Sequence, residues 1–199
     1  MSRILLCLVV VLGSAMSASP RAAEQPQQQI VPPNVPAGLE VVGPYKPFLK
    51  AHAVGTQNFI CAPAATSSGL DWLFIGPQAT IFDDDIEQNL THFQSKNPEK
   101  GDAIQATWQH SRDSSAVWAT RHSGSLDPLY VAPNSIEWLL LDVSGAQFGP
   151  LGGDRLARTA FIQRVNTLGG VKPPSSECTI ATINTRRLVA YEADYIFYR

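Results

Sequence analysis

The chain has 199 residues, with 15 basic and 17 acidic side chains and a net charge of −2. It is long enough to bury a substantial core, and its acidic balance argues against a nucleic-acid partner or an anionic-membrane surface, both of which need a basic patch. Lys and Arg nowhere run longer than Arg186-Arg187.

The first stretch, "MSRILLCLVVVLGSAMSASPRAA", has an early Arg3, an apolar run from Ile4 to Leu12 and then small residues. That is the layout of a secretory signal peptide over residues 1–23, with cleavage between Ser17 and Ala23. The run is shorter than the roughly 20 apolar residues that span a bilayer. No second such run follows, so the mature chain is expected without an integral membrane segment, in a secreted or periplasmic location. Its loss removes Arg3 and Arg21 and leaves thirteen basic against seventeen acidic residues, a net −4. Cys7 leaves too. The remaining pair, Cys61 and Cys178, is expected as a disulfide in an oxidising compartment. In the chain-entropy account a bridge over so long a loop stabilises by about 5 kcal/mol.

Residues 24–38, "EQPQQQIVPPNVPAG", are rich in Gln and Pro and read as an extended, flexible lead-in. A single β-rich domain is expected over 39–199. "FLKAHAVGTQNFICA" (48–62) reads as a strand interrupted at Gly55. "LDWLFIGPQATIFDDD" (70–85) reads as two short strands around Gly76-Pro77. "LTHFQ" (90–94) is a short strand, and "AIQATWQHS" with "SAVWATRHS" makes a hairpin. "IEWLLLDVSGAQ" (136–147), "RTAFIQRVNTLGG" (158–170) and "RLVAYEADYIFY" (187–198) follow, with room for one helical turn near Asp154. In the last strand Val189, Tyr191, Ala193, Tyr195 and Phe197 share one wholly apolar or aromatic face. Period two with one such face marks a half-buried antiparallel strand. Fifteen prolines and fourteen glycines punctuate the chain at strand-like spacing. The fold class is mainly β, an antiparallel sandwich or barrel with little helix.

The segments "AHAVGTQNFIC", "WLFIGPQATIFDDD", "THF", "ATWQHSRDSSAVWA", "WLLLDVSGAQFGPLGGDRL", "TAFIQRVNTLGGVKPPSSEC" and "YEADYIFYR" occur in one order over most of residues 50–199. In this the chain resembles the uncharacterised secreted family catalogued as domain of unknown function 3455. The resemblance implies a secreted or periplasmic β-rich domain without an established activity. Some members carry an enzyme-like label such as malate dehydrogenase. The residues give it no support. A dinucleotide site needs GxGxxG between a strand and a helix, and "GPLGGD" (149–154) and "TLGGV" (167–171) fit tight turns instead. No cofactor is therefore expected. The GK[ST] of a phosphate loop and the GxSxG of an α/β-hydrolase are both missing.

Four histidines are present. His52 and His122 read as ordinary strand residues, whereas His92 and His110 lie in the family-like segments. Neutral imidazole suits metal ligation and acid–base work, yet no third ligand is identifiable. Trp108 and His110 share strand parity and so point to one face. A two- or four-residue loop over Asp113-Ser114 would pair His110 with Val117 and Trp108 with Ala119; a three-residue loop would pair Trp108 with Trp118. The ligand-binding candidates are His92, Trp108 and His110, and no catalytic residue is assigned. Asp83-Asp84-Asp85 reads as an exposed turn, with calcium as the alternative. Asn89-Leu90-Thr91 matches a glycosylation acceptor, relevant only on a eukaryotic export route. The reading favours a non-enzymatic binding protein with an unknown ligand. The alternatives are a hydrolase or metal-dependent enzyme using His92 and His110, and a structural or adhesion module.

Overall fold

Eight strands pair antiparallel in chain order, and the last returns to the first, closing a barrel. They are β1 (Pro47–Pro63), β2 (Leu70–Phe82), β3 (Gln88–Asn97), β4 (Ala103–His110), β5 (Ala116–Ser125), β6 (Trp138–Gln147), β7 (Phe161–Gly169) and β8 (Arg186–Tyr198). The structure is a computed structural model and describes residues 29–64, 69–83 and 86–199. The expected signal peptide and Asp84-Asp85 lie outside those residues. Among the described residues no helix is long and apolar enough to cross a membrane.

Sequence reading left sandwich and barrel open, and the pairing of β1 with β8 decides for the barrel. Ala53 faces Ala193 and Gly55 faces Tyr191 across that seam. Small residues let the strands meet there. A Cβ on Gly55 would lie 2.2 Å from the Gln78 carbonyl oxygen, so this position is a close backbone approach inside a continuous strand and no interruption. β2 is likewise one strand and not two. Its irregularity falls where Asn58-Phe59 of β1 pass Gly76 and Phe74. Pro77 is tolerated because β3 pairs only with Ala79–Phe82 of β2, so its missing N–H breaks no rung on that side.

The alternation seen in β8 sorts its side chains as expected. Tyr191, Ala193, Tyr195 and Phe197 point inward and join Ala51, Ala53, Ile81, Leu90, Trp108, Val117 and Ile162 in the main core. The outer face is not all polar. Ile196 and Tyr198 form a second cluster with Trp138, Leu140 and Val165, covered by Leu39 and Val131. Ile30 and Val35, in the described part of the Pro/Gln-rich lead-in, pack against this cluster. Gln163 fixes them there by donating to the Leu39 carbonyl at 2.6 Å. The segment forms no helix or strand.

Because successive strands alternate in direction, their loops gather at two ends. One end, the floor, holds the connections β2–β3, β4–β5 and β6–β7. The other, the mouth, holds β1–β2, β3–β4, β5–β6 and β7–β8. A disulfide joins Cys61 to Cys178 with Cα atoms 5.3 Å apart, as the even cysteine count suggested. It fastens the long β7–β8 connection to the mouth end of β1, beside Phe59 and Trp72. Near Asp154 the chain makes a hydrogen-bonded turn, Ala157 N to Asp154 O.

Candidate functional site

The β4–β5 hairpin takes neither register anticipated from the sequence. Trp108 pairs with Val117 and Ala106 with Ala119. The loop closes by His110 N donating to Ser115 O and Ser114 N to His110 O. Its centre falls between Arg112 and Asp113, one residue earlier than the first expected register and half a residue earlier than the second, because Asp113 organises the turn. Asp113 accepts from Ser115 N at 2.9 Å, from Ser115 Oγ at 2.7 Å and from Arg155 N at 2.9 Å. Its second role is to hold His110, whose Nδ1 lies 2.9 Å from Oδ1. Burial alone would raise this carboxyl, but those donors and the imidazole together hold its pKa down to about 2. Ser115 Oγ then accepts from Leu156 N at 3.1 Å, seating the fully buried Leu156. His110 is thus part of a satisfied plug in the barrel floor.

His92 and Trp108 lie deeper, inside the lumen. They are direct cross-strand partners, and their rings stack with centroids 4.1 Å apart and 13° between planes. Tyr195 meets both edge-on, at 5.3 and 5.4 Å. The Thr107 carbonyl lies 2.8 Å from His92 Nδ1 and can only accept, so Nδ1 carries the proton. Burial pushes the His92 pKa down to about 3, and the positive charge of Arg164 acts in the same direction. The imidazole is neutral at ordinary pH. Trp108 is 1% exposed and flanks no surface groove. His92 and His110 occupy different settings, with different partners. Among the described residues no group of three His, Cys, Asp or Glu comes together as a metal site.

The most unusual chemistry lies above this stack, toward the mouth. Buried polar atoms there have no hydrogen-bond partner among the described residues: Gln57 Nε2, Arg164 Nε, and the hydroxyls of Tyr191 and Tyr195. The two tyrosines are close enough to influence each other, as are Tyr195 and Arg164, without a well-formed hydrogen bond. Burial drives both phenols well above their ordinary range, so they remain neutral donors. Arg164 is the oddest member. It stands opposite Tyr195 in the register. Its Nη2 donates to the Glu137 carbonyl at 3.0 Å, and no carboxylate pairs with it among the described residues. Native structures rarely leave buried donors such as Arg164 Nε unpaired.

These groups lie under a cavity of about 590 Å³ in the barrel mouth, which Gln57 and Arg164 line together with Phe59, Phe74, Leu126, Ile136, Leu139 and Val171. The rim is built by short contacts between the β5–β6 and β7–β8 connections. Ile136 N donates to Gly169 O, and Ser135 forms an isolated bridge with Gly170. Gly170 has φ +80°, and a Cβ on it would press on Tyr191 and Gln57 at 2.9 and 3.0 Å. The second half of "TLGGV" is therefore a backbone position that keeps the mouth clear. The other charged residues that line the cavity are matched: Glu137 with Arg121 at 2.9 Å, Lys172 with Asp71 at 2.8 Å.

Of the three sequence candidates, the barrel brings His92 and Trp108 together and leaves His110 in the floor. Sequence reasoning missed Gln57, Arg164, Tyr191 and Tyr195 as site residues. The tyrosines were legible as inward-facing. Arg164 was not, because both faces of "FIQRVN" mix apolar and polar residues and neither announces the lumen.

No curated protein and no solved structure matches the chain. The profile of a family described as proteins of unknown function, domain of unknown function 3455, matches residues 43–199, which takes in the whole barrel. The chain belongs to that family.

Proposed function

We propose that the protein is an exported, non-enzymatic binding protein that takes a small, partly apolar molecule into the mouth of its barrel. The observation that carries the reading is the set of unpaired buried donors directly beneath a cavity with an apolar wall. Ligand pockets have this composition: a mostly apolar lining, a few convergent polar groups and a volume of roughly 300–1,000 Å³. An eight-stranded barrel has an interior just wide enough to be filled by side chains or to hold one small ligand. Here the mid-lumen is filled by the stacked His92 and Trp108 rings, and the cavity opens at the mouth. Export is supported by the amino-terminal sequence pattern and by the paired cysteines, which suit an oxidising compartment.

The test is titration with N-phenyl-1-naphthylamine, a neutral reporter that fluoresces in apolar sites. Saturable binding of one reporter per chain is expected, weakened several-fold by Phe74→Ala or Val171→Asp at the rim. Absence of saturable binding, or binding indifferent to both substitutions, would contradict the reading.

A further inference from the structure

The geometry points to a ligand class for this mouth: an amphipathic monocarboxylate, its head on Arg164 and Gln57, its apolar body against Phe59, Phe74 and Leu139. The inference rests on the mouth being a binding site, and it adds the charge and shape of the occupant.

Three observations lead to it. First, of the three charged residues that line the cavity, one has no ion pair among the described residues. Glu137 and Lys172 are both matched by ion-pair partners, while Arg164 has a backbone carbonyl and, among the described residues, no acid. A single negative charge would neutralise the site, and a dianion would overshoot. Second, the unpaired buried atoms beneath the cavity can all donate. Arg164 and Gln57 line the cavity, and the guanidinium and the amide nitrogen offer protons there, while the Tyr191 and Tyr195 hydroxyls are buried beside Arg164. A carboxylate presents two oxygens with about four acceptor directions and no proton, which complements that set. A guanidinium fork recognises the planar carboxylate in two parallel hydrogen bonds, a geometry an ammonium cannot reproduce. Third, the wall above the donors is apolar. Phe59 and Phe74 sit with ring centroids 5.5 Å apart, and Leu126 and Val171 extend the same surface outward. An acid with a hydrocarbon or aromatic body would satisfy both halves. A cation would meet Arg164 head-on, and a neutral alcohol would leave its charge unmatched.

The experiment is displacement of bound N-phenyl-1-naphthylamine by decanoate, decanol and decyltrimethylammonium at pH 7.5, in the full-length mature protein and in Arg164→Met and Arg164→Lys. Decanoate should displace the reporter at least tenfold more effectively than decanol, and decyltrimethylammonium should be the weakest. In Arg164→Met the reporter should still bind and the advantage of acid over alcohol should collapse. Arg164→Lys should keep part of it. Reporter binding in each variant shows that the barrel is folded. If wild type binds the reporter but prefers acid no more than alcohol, the carboxylate assignment fails and the mouth remains a neutral apolar site whose donors are met by water. If the reporter does not bind at all, the binding reading itself fails first.

Discussion

The two ends of this barrel hold similar kinds of residues in opposite states of satisfaction. At the floor, one carboxylate, one imidazole and one hydroxyl close on each other and on backbone amides, so that Asp113 accepts from Ser115 N, Ser115 Oγ and Arg155 N. At the mouth, a guanidinium, two phenols and an amide converge with most of their donors unmet. Both ends are partly shielded from water, and both therefore incur the cost of burying polar groups. Only the floor recovers that cost within the chain. The difference teaches which cluster is there for the fold and which awaits something else. A His–Asp–Ser grouping invites a catalytic reading, yet here its bonds all serve loop closure and the seating of Leu156.

Between the ends lies the aromatic column of His92, Trp108 and Tyr195, and its loss should have the largest effect. Trp108→Ala is expected to lower the free energy of unfolding by about 3–5 kcal/mol, the usual range for deleting a buried large aromatic. Urea unfolding followed by circular dichroism reads this. A variant as stable as wild type would break the distinction between a filled lower lumen and an open mouth, and would make the column a place of exchange.

The floor comes next. Asp113→Ala leaves two backbone amides and a buried hydroxyl without their acceptor, so a loss of about 1–3 kcal/mol is expected. The loss should also depend on pH. The folded carboxyl has a pKa near 2, below the roughly 3.9 of an unfolded Asp. Its stabilising contribution is therefore complete above about pH 4 and is lost as pH falls through about 2. Unfolding curves at pH 7 and pH 3 should show the gap between wild type and Asp113→Ala narrowing in acid. A gap that stays constant would mean that the carboxylate charge does not organise the loop.

How much of this could be read beforehand depends on how far each feature is local. Strand alternation is local, so β8 declared its inward face through Val189, Tyr191, Ala193, Tyr195 and Phe197, and the disulfide followed from a count of cysteines. Register is less local. The β4–β5 loop slipped from the expected pairing because Asp113 accepts from Arg155, a residue 42 positions away on another loop. Closure is not local at all: sandwich and barrel share the same strand patterns, and only the β1–β8 seam separates them. The mouth was hidden for the same reason. Gln57, Arg164 and Tyr191 come from three strands, and nothing in any one segment says that their donors will meet in one space. Histidine, the residue that most attracts functional attention, proved a misleading guide here. His110 is consumed by the floor, and His92 is a buried neutral ring.

The measurement that bears most directly on the contrast is the unfolding free energy of Arg164→Met beside that of Asp113→Ala. If the mouth's polar groups serve a ligand and not the fold, replacing a guanidinium that has no acid partner among the described residues with an apolar chain of similar length should cost less than about 0.5 kcal/mol, or should stabilise. A loss as large as that of Asp113→Ala would contradict the account, because Arg164 would then be holding the barrel together in the way Asp113 holds its floor.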